Sequence, residues 1–206
     1  MPFIMSAQGD QLNRFTHVPL DYFDKVTEWV DYNELVTGPI RQFLRWHDAA
    51  VARLFDYTNG HPFYTNLISS RIYRTACEER DAEITSEEVD RAIDTLSSDL
   101  DINSFSHLWK DGVNSAIGDD PEVTSLQRCR LLVSIGRCLR KSSSITVENI
   151  IENKNSAALN QIEISPLLTE FCRRDVLEDV GGVYEVKVPF FGNWLQQSGL
   201  NKLIAD

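Results

Sequence analysis

The sequence has no apolar run that approaches the roughly 18–20 residues of a membrane-spanning helix. Its first residues, Met1–Gln8, contain no basic segment and too short an apolar core for a secretory signal. Apolar residues nevertheless make up 42% of the 206 positions and aromatic residues 10%, which favours a globular chain over a disordered one. A cytoplasmic globular protein without a membrane partner is therefore predicted.

Closely spaced metal or redox ligands are also absent. The four cysteines and the four histidines are far apart and form no CxxC or HxxxH pattern. They are Cys77, Cys129, Cys138 and Cys172, and His17, His47, His61 and His107. Scattered thiols of this kind favour a reduced protein over a disulfide framework. The spacing predicts no metal site, and no nucleophile-elbow pattern indicates a catalytic serine.

Positive charge is scarce in the first part of the chain. Residues 1–120 contain 10 Lys and Arg against 21 Asp and Glu, whereas residues 121–206 contain 10 of each, and the net charge is −11. The first part should repel phosphate backbones, and the second part is at best neutral towards them. The change in charge balance indicates a domain boundary near residue 120.

One short stretch, Thr58–Ile68, separates two amphipathic helical patterns and is the clearest break between predicted helices in the sequence. Gly60 can adopt the positive φ that closes a helix. Pro62 has no N–H group, which suits the first turn of a helix, where that donor has no intrahelical partner. The pattern predicts that one helix ends at this turn and that the next begins at Pro62.

The other apolar spacings before residue 121 are also helical. Thr85 and Glu88 form a capping-box pattern that begins a further helix, and Asp21 is placed as the N-cap of the first. We interpret residues 1–20 as two short extended pieces left from a larger sheet, and residues 101–120 as a connecting helix. The helices predicted in between are Asp21–Val36, Phe43–Tyr57, Pro62–Glu79 and the one that follows Thr85.

The second part of the chain has three helical patterns followed by two alternating strands. Thr146 is placed to cap the second of these helices, and Gly181 and Gly182 lie between the strands as a hairpin turn. A final helix follows the hairpin. The predicted helices are Val123–Leu139, one that opens at Ser144–Glu148, Ala157–Arg173 and Pro189–Ile204, and the strands are Val176–Val180 and Val183–Val188. Three helices followed by a two-stranded wing is the winged-helix pattern.

Three motifs in this order resemble one family. Gly60–Phe63 resembles the "GxP" turn of a helical lid, the helix that starts at Ile84–Val89 follows it, and Arg174–Leu195 is similar to an "R-x-V-L-E…Y-x-V-x-x-P-x-F-x-x-W-L" ending. Together they resemble the C-terminal part of a STAND or archaeal-type AAA+ ATPase, over residues 20–200. The resemblance implies a mainly α fold in which an AAA+-type helical lid precedes a winged-helix domain with a small β-hairpin wing.

The same resemblance implies the domain limits and the partners. Residues 1–20 would be a remnant of the NTPase core sheet, 21–100 the helical lid, 101–120 a connecting helix and 121–206 the winged-helix domain. The sequence contains neither a GxxxxGK[ST] P-loop nor a Walker B acid, which such ATPases need to hold phosphate and Mg²⁺. We therefore expect a P-loop core before residue 1 or in a separate subunit, and no ATP hydrolysis by this chain alone.

The resemblance also implies a nucleotide site. Gly60 and Pro62 would lie against the adenine of ATP or ADP, bound with Mg²⁺ in the complete protein, with His61 between them; this chain alone would hold no cofactor. The alternative is that Gly60 and Pro62 only form the turn between two helices and that His61 faces solvent. The implied function is a regulatory and interaction module that converts nucleotide state into domain rearrangement or homo-oligomerisation.

A winged helix also raises a second function, nucleic-acid binding. The recognition helix would lie near residues 157–173, which carry Glu163 and Glu170 and have cations only at the end. The more basic stretch comprises Arg128, Arg130, Arg137, Arg140 and Lys141. We interpret it as a solvated face that packs on the lid or on a partner, so DNA is a disfavoured partner. An enzyme with a site of its own has no supporting motif.

Overall fold

The computed structural model describes residues 21–110, 121–153, 159 and 163–205. The fold is mainly α-helical, which confirms the predicted class. The α-helices are α1 (Trp29–Thr37), α2 (Asp48–Thr58), α3 (Pro62–Glu79), α4 (Ser86–Asp99), α5 (Pro121–Arg140), α6 (Val147–Asn153), α7 (Ile164–Arg173), α8 (Pro189–Trp194) and α9 (Leu200–Ala205). The strands are β1 (Arg45–Trp46), β2 (Glu83–Ile84), β3 (Leu177–Val180) and β4 (Val183–Val186).

The described residues form two compact units, and neither is continuous in sequence. The first unit contains residues 21–100 together with 188–194, and the second contains residues 101–187 together with 195–205. Helix α8 thus belongs with α1–α4, although the sequence assigned all of 121–206 to one domain. Among the described residues, no helix combines the length and the apolar character needed to cross a membrane.

The first unit is built around α2 and α4, against which α3 and α8 pack. Its fully buried side chains come from each of these helices and from α1; they include Tyr32, Leu54, Ile68, Ile93, Phe190 and Trp194. The Trp194 Nε1–H group donates to the Leu100 carbonyl at 3.1 Å, so α8 is also tied to the end of α4 by a hydrogen bond. Burial of each large apolar side chain contributes about 1.5–3 kcal/mol to the stability of this core.

A two-residue parallel pair joins the starts of α2 and α4. Arg45 of β1 lies opposite Glu83 of β2, and the His47 N–H donates to the Ile84 carbonyl at 3.0 Å. The predicted capping box then begins α4, since the Thr85 N–H donates to the Glu88 carboxylate at 2.8 Å. The strand pair has no sequence signature, because two residues are too few for an alternating pattern to appear.

Helix α5 is the central element of the second unit. Every residue from Leu131 to Gly136 is buried, so neighbours surround this part of the helix on all sides. Helices α6, α7 and α9 pack against it. Arg128 is also buried, pairs with the Glu170 carboxylate of α7 and donates to the Trp109 carbonyl at 3.0 Å. The sequence had placed Arg128 in a solvated basic stretch, and this expectation was wrong.

The predicted hairpin is confirmed. Strands β3 and β4 pair antiparallel with Leu177 opposite Val186, and Gly181 and Gly182 turn with φ values of 67° and 89°. Positive φ at both positions is the two-residue turn that matches the twist of a hairpin. The Tyr184 N–H also donates to the Ile145 carbonyl at 2.8 Å, which adds a bridge from the segment between α5 and α6.

Two predicted helix starts in the first unit were wrong, each for a local reason. Helix α1 begins at Trp29 and not at Asp21, because the Asp24 carboxylate accepts the N–H groups of Val26 and Thr27 at 2.9 and 2.7 Å and holds a turn there. The helix predicted from Phe43 begins at Asp48, since strand β1 occupies the preceding residues.

Three other predicted segments are only partly described. Within 101–110 the connecting helix is replaced by short 3₁₀ turns at Ile102–Ser104 and Ser106–Leu108, the first capped by the Asp101 carboxylate. The helix predicted from Ala157 is described as a regular helix from Ile164. The extended pieces predicted in residues 1–20, and residues 111–120 of the connecting segment, lie outside the described residues.

The last predicted helix is helical along its length but not uniform. A π-helical turn, Leu195–Gly199, separates α8 from α9. The Arg140 guanidinium donates to the Gln196 and Gln197 carbonyls at 2.8 and 3.1 Å. These two bonds satisfy carbonyls of the widened turn, which a pattern of apolar spacing does not reveal.

Candidate functional site

The Gly60–Pro62 turn has the geometry that its residues predict. Helix α2 ends at Thr58, and the next residue, Asn59, caps it: Asn59 is left-handed with φ 49° and donates its N–H to the Phe55 carbonyl at 2.7 Å. Gly60 follows with φ 71°, and the His61 N–H donates a hydrogen bond to the Thr58 carbonyl at 3.0 Å. Two successive left-handed residues reverse the chain, and α3 begins at Pro62 as predicted.

Glycine is required at position 60 for a second reason, the close approach of another segment. A Cβ atom on Gly60 would lie 2.4 Å from the Phe23 carbonyl oxygen and 3.0 Å from Cε2 of Phe55. The Phe23 N–H donates to the Gly60 carbonyl at 3.0 Å. The turn is thus fastened to residues 22–23, and contacts within this chain account for the glycine fully.

His61 is the N-cap residue of α3. Its Nδ1 atom accepts the Phe63 N–H at 3.2 Å, so Nδ1 carries no proton in this arrangement. The ring centroid lies 4.8 Å from each of the Tyr22 and Tyr64 rings, with both contacts edge to face. The ring is half-buried within an aromatic cluster, whereas the alternative interpretation of the sequence had the His61 side chain facing solvent.

Pro62 is buried, and the two residues that follow it differ sharply in exposure. The Phe63 side chain is 54% exposed, whereas Tyr64 is 1% exposed and contacts the Phe190 ring of α8. Burial, together with the nearby Tyr22, raises the pKa of Tyr64 above its ordinary value. The proline ring that the resemblance would place against adenine is therefore covered within this chain, and Phe63 is the exposed apolar surface of the turn.

The charged groups near the turn are already paired. Lys25 lies 2.6 Å from the Asp56 carboxylate, and its ammonium sits 5.2 Å from the centroid of the Phe55 ring. Both members of this ion pair are about half exposed. A phosphate group at this point would have to displace Asp56 from the lysine. The turn thus offers aromatic and apolar contacts rather than a ready anion site.

A separate cavity of about 270 Å³ lies between α3 and α4. Charged side chains line it, and two of its cations are bound to carboxylates. Arg91 contacts Glu79 and Glu88 at 3.1 Å each, and Arg71 contacts Asp99 at 2.5 Å. Four carboxylates and three guanidinium groups line the cavity, so it offers no excess of positive charge to an anion.

The described ranges contain no group of three His, Cys, Asp or Glu side chains arranged to hold a metal ion. His47 lies with its Nε2 atom 2.8 Å from the Glu83 carboxylate, beside the β1–β2 pair. His107 lies in a 3₁₀ turn of the second unit, and His17 falls outside the described residues. None of the described histidines belongs to a metal-binding group of this kind.

The sequence identified Gly60, His61 and Pro62 but missed the aromatic rings around them. Neither Tyr22 nor Tyr64 had been assigned to the site. The signal that could have found them is the pairing of adjacent aromatics on both sides of the turn, Tyr22-Phe23 and Phe63-Tyr64. Comparison with family models, with curated proteins and with solved structures finds no match for this chain.

Proposed function

We propose that the chain is a regulatory and interaction module of a P-loop ATPase of the STAND or AAA+ kind, not catalytic alone. In this proposal the first unit is the helical lid and the second unit is a winged-helix domain. The Gly60–Pro62 turn faces the nucleotide site that a P-loop core completes. The core, in the same protein or in another subunit, supplies the phosphate and Mg²⁺ ligands.

The observation that carries the proposal is the arrangement of the second unit. Helices α5, α6 and α7 precede the β3–β4 hairpin, and the hairpin is bridged to Ile145, just before α6. The Lys187 N–H also donates to the Val176 carbonyl at 3.0 Å, which closes the base of the hairpin. Three helices and a wing that is bonded back to them support the winged-helix assignment more strongly than a free hairpin would.

Chain connectivity supports a role in coupling. The chain passes between the two units at residues 100–101, and again at 187–188 and 194–195 around α8. Helix α8 is a buried part of the unit that contains the turn, and β4 ends only a few residues before it. A displacement of the turn and of the helices behind it would therefore be passed along the backbone to the hairpin.

Calorimetric titration of the purified chain with ATP and ADP, with Mg²⁺ present, tests this proposal. We expect no measurable heat of binding and no phosphate release, because the sequence contains no P-loop or Walker B acid to hold phosphate and Mg²⁺, and Lys25 is bound to Asp56. Affinity capture with the tagged chain, in ATP and then in ADP, should enrich a protein that contains a P-loop. Micromolar binding with turnover by the chain alone would refute the proposal.

Nucleic-acid binding is the weaker alternative. Exposed carboxylates occupy both strands of the hairpin, at Glu178, Asp179 and Glu185. Lys187 is bound to Asp175, and in the described part of α7 the basic residue of the last turn is Arg173. A wing with this charge would repel a phosphate backbone.

A further inference from the structure

A cavity of about 480 Å³ lies at the carboxyl end of α5, within the second unit. Three cations line it: Arg137 and Arg140 from the last turn of α5, and Lys141 directly after it. Glu152 of α6 contributes a negative charge, and Leu200 and Ile204 of α9 contribute an apolar wall. The volume is in the range of small-molecule sites in proteins.

These three cations are bound to neutral oxygens instead of carboxylates. Arg137 Nη1 donates to the Asn153 carbonyl at 3.0 Å, and Lys141 Nζ donates to Asn153 Oδ1 at 2.7 Å. Arg140 donates to carbonyls of the π turn and to Asn201 Oδ1 at 3.1 Å. In the part of the chain that the structure describes, none of the three forms an ion pair.

The hydrogen bonds within the protein leave donors for a ligand. A guanidinium carries five N–H donors and an ammonium three. Arg137 and Lys141 each use one of theirs in the bonds to Asn153, and Arg140 uses three. The protein bonds also hold the three side chains in place, so a ligand meets donors that are already ordered.

The net positive charge of the cavity favours a negatively charged ligand. Three positive side chains against Glu152 leave an excess of positive charge in a chain whose net charge is −11. Arg137 is half-buried, whereas Arg140, Lys141 and Glu152 are exposed, so an ion can enter from solvent. Ordered guanidinium and ammonium donors without a carboxylate partner match the several acceptor oxygens of a phosphate group.

We infer that this cavity binds the phosphate or diphosphate group of a small phosphorylated ligand, with the apolar wall at Leu200 and Ile204 beside the rest of the molecule. The inference does not depend on the proposed function, because no part of the Gly60–Pro62 turn is involved. It also assigns a role to basic residues that the sequence interpreted as a solvated face.

Titration of the full chain with inorganic pyrophosphate at low salt tests the inference. We expect saturable binding, which Lys141→Met weakens about tenfold, the effect of losing one charge-assisted contact. Lys141→Arg should retain most of the affinity, and Glu152→Gln should raise it. Arg45→Met is the control for the loss of one positive charge away from the cavity. Arg45 is an exposed cation of the first unit, and its Nη1 atom lies 3.4 Å from Oε1 of Glu83.

The fold should survive these substitutions because Lys141 is exposed, and circular dichroism of each variant checks this.

 The absence of saturable binding, or an equal loss of affinity in Arg45→Met, would overturn the inference. Tighter, salt-sensitive binding of duplex DNA that is lost in Lys141→Met would also overturn it, and would assign the cavity to a nucleic-acid backbone.

Discussion

Replacement of Gly60 by alanine tests whether this turn is fixed by contacts within the chain. Two costs are expected. An alanine at φ 71° adopts a left-handed conformation that costs about 1 kcal/mol relative to glycine. Its Cβ would also lie 2.4 Å from the Phe23 carbonyl oxygen, so the segment at Phe23 has to move away.

The displacement of Phe23 sets the size of the second cost. It would break the 3.0 Å hydrogen bond from the Phe23 N–H to the Gly60 carbonyl, which contributes about 0.5–1.5 kcal/mol. It would also disturb the contact with Phe55, whose Cε2 would be 3.0 Å from the new methyl group. With the conformational cost, Gly60→Ala should destabilise the first unit by roughly 2–4 kcal/mol.

The hairpin supplies a matched control. Gly181 has φ 67°, close to that of Gly60, but a Cβ placed there meets no atom within 4 Å. Gly181→Ala should therefore show the conformational cost alone, about 1 kcal/mol. Because the chain has two compact units, hydrogen exchange should be followed separately in α3 and in β3–β4 rather than through one global transition.

The difference between the two variants isolates the approach of Phe23. If Gly60→Ala lowers protection in α3 by no more than Gly181→Ala lowers it in the hairpin, then the contact with Phe23 is not a constraint. The structural account of Gly60 would then fail, and a requirement for glycine at this position would need a ligand to explain it.

Two further substitutions test other contacts. Glu170→Ala removes a carboxylate that pairs with the buried Arg128 guanidinium and should destabilise the second unit by about 3 kcal/mol, measured by hydrogen exchange in α7. Glu34→Ala breaks an exposed pair with Arg41 and should destabilise the first unit by under about 1 kcal/mol, measured by hydrogen exchange in α1. Equal costs would contradict the burial argument. The Thr85 hydroxyl donates to the Glu88 carboxylate and, against the effect of burial, holds the pKa of Glu88 below its ordinary value of 4.5. A lowered folded pKa stabilises above pH 4.5 and loses its effect as the pH falls through the folded value. Thr85→Val should therefore destabilise α4 by about 1 kcal/mol at neutral pH, and hydrogen exchange in α4 should show this difference shrink in acid; a difference independent of pH would exclude the role of Glu88.

Features governed by a few neighbouring residues could be predicted from the sequence. Helix α3 runs from Pro62 to Glu79 as expected, because proline begins it and a left-handed Arg80 ends it. The hairpin turn at Gly181-Gly182 and the capping box at Thr85 are local in the same way. In each case the residue types satisfy a backbone requirement within one turn of chain.

Features that depend on distant residues could not be predicted. Strand β1 forms because it pairs with β2, where Arg45 lies opposite Glu83, and the two strands are separated in the sequence by α2 and α3. Arg128 can be buried because the Glu170 carboxylate of α7 lies beside it. At the candidate site, the sequence identified the turn but not the segment at Phe23 that is bonded to it. Contacts between residues that are tens of positions apart do not change the hydrophobic periodicity of the sequence around either residue, so they cannot be read from it.

The membership of α8 in the first unit has a consequence for synthesis of the chain. When the ribosome has released residues 21–100, the bundle of α1–α4 still lacks Phe190 and Trp194, which fill its interior in the finished protein. Closing a loop of this length adds an entropic barrier, and an apolar surface stays open while the hairpin emerges. The helical unit is therefore completed late, after the hairpin that precedes α8 has been made. Until then the apolar side chains that Phe190 and Trp194 later cover stay exposed to any nascent or neighbouring segment.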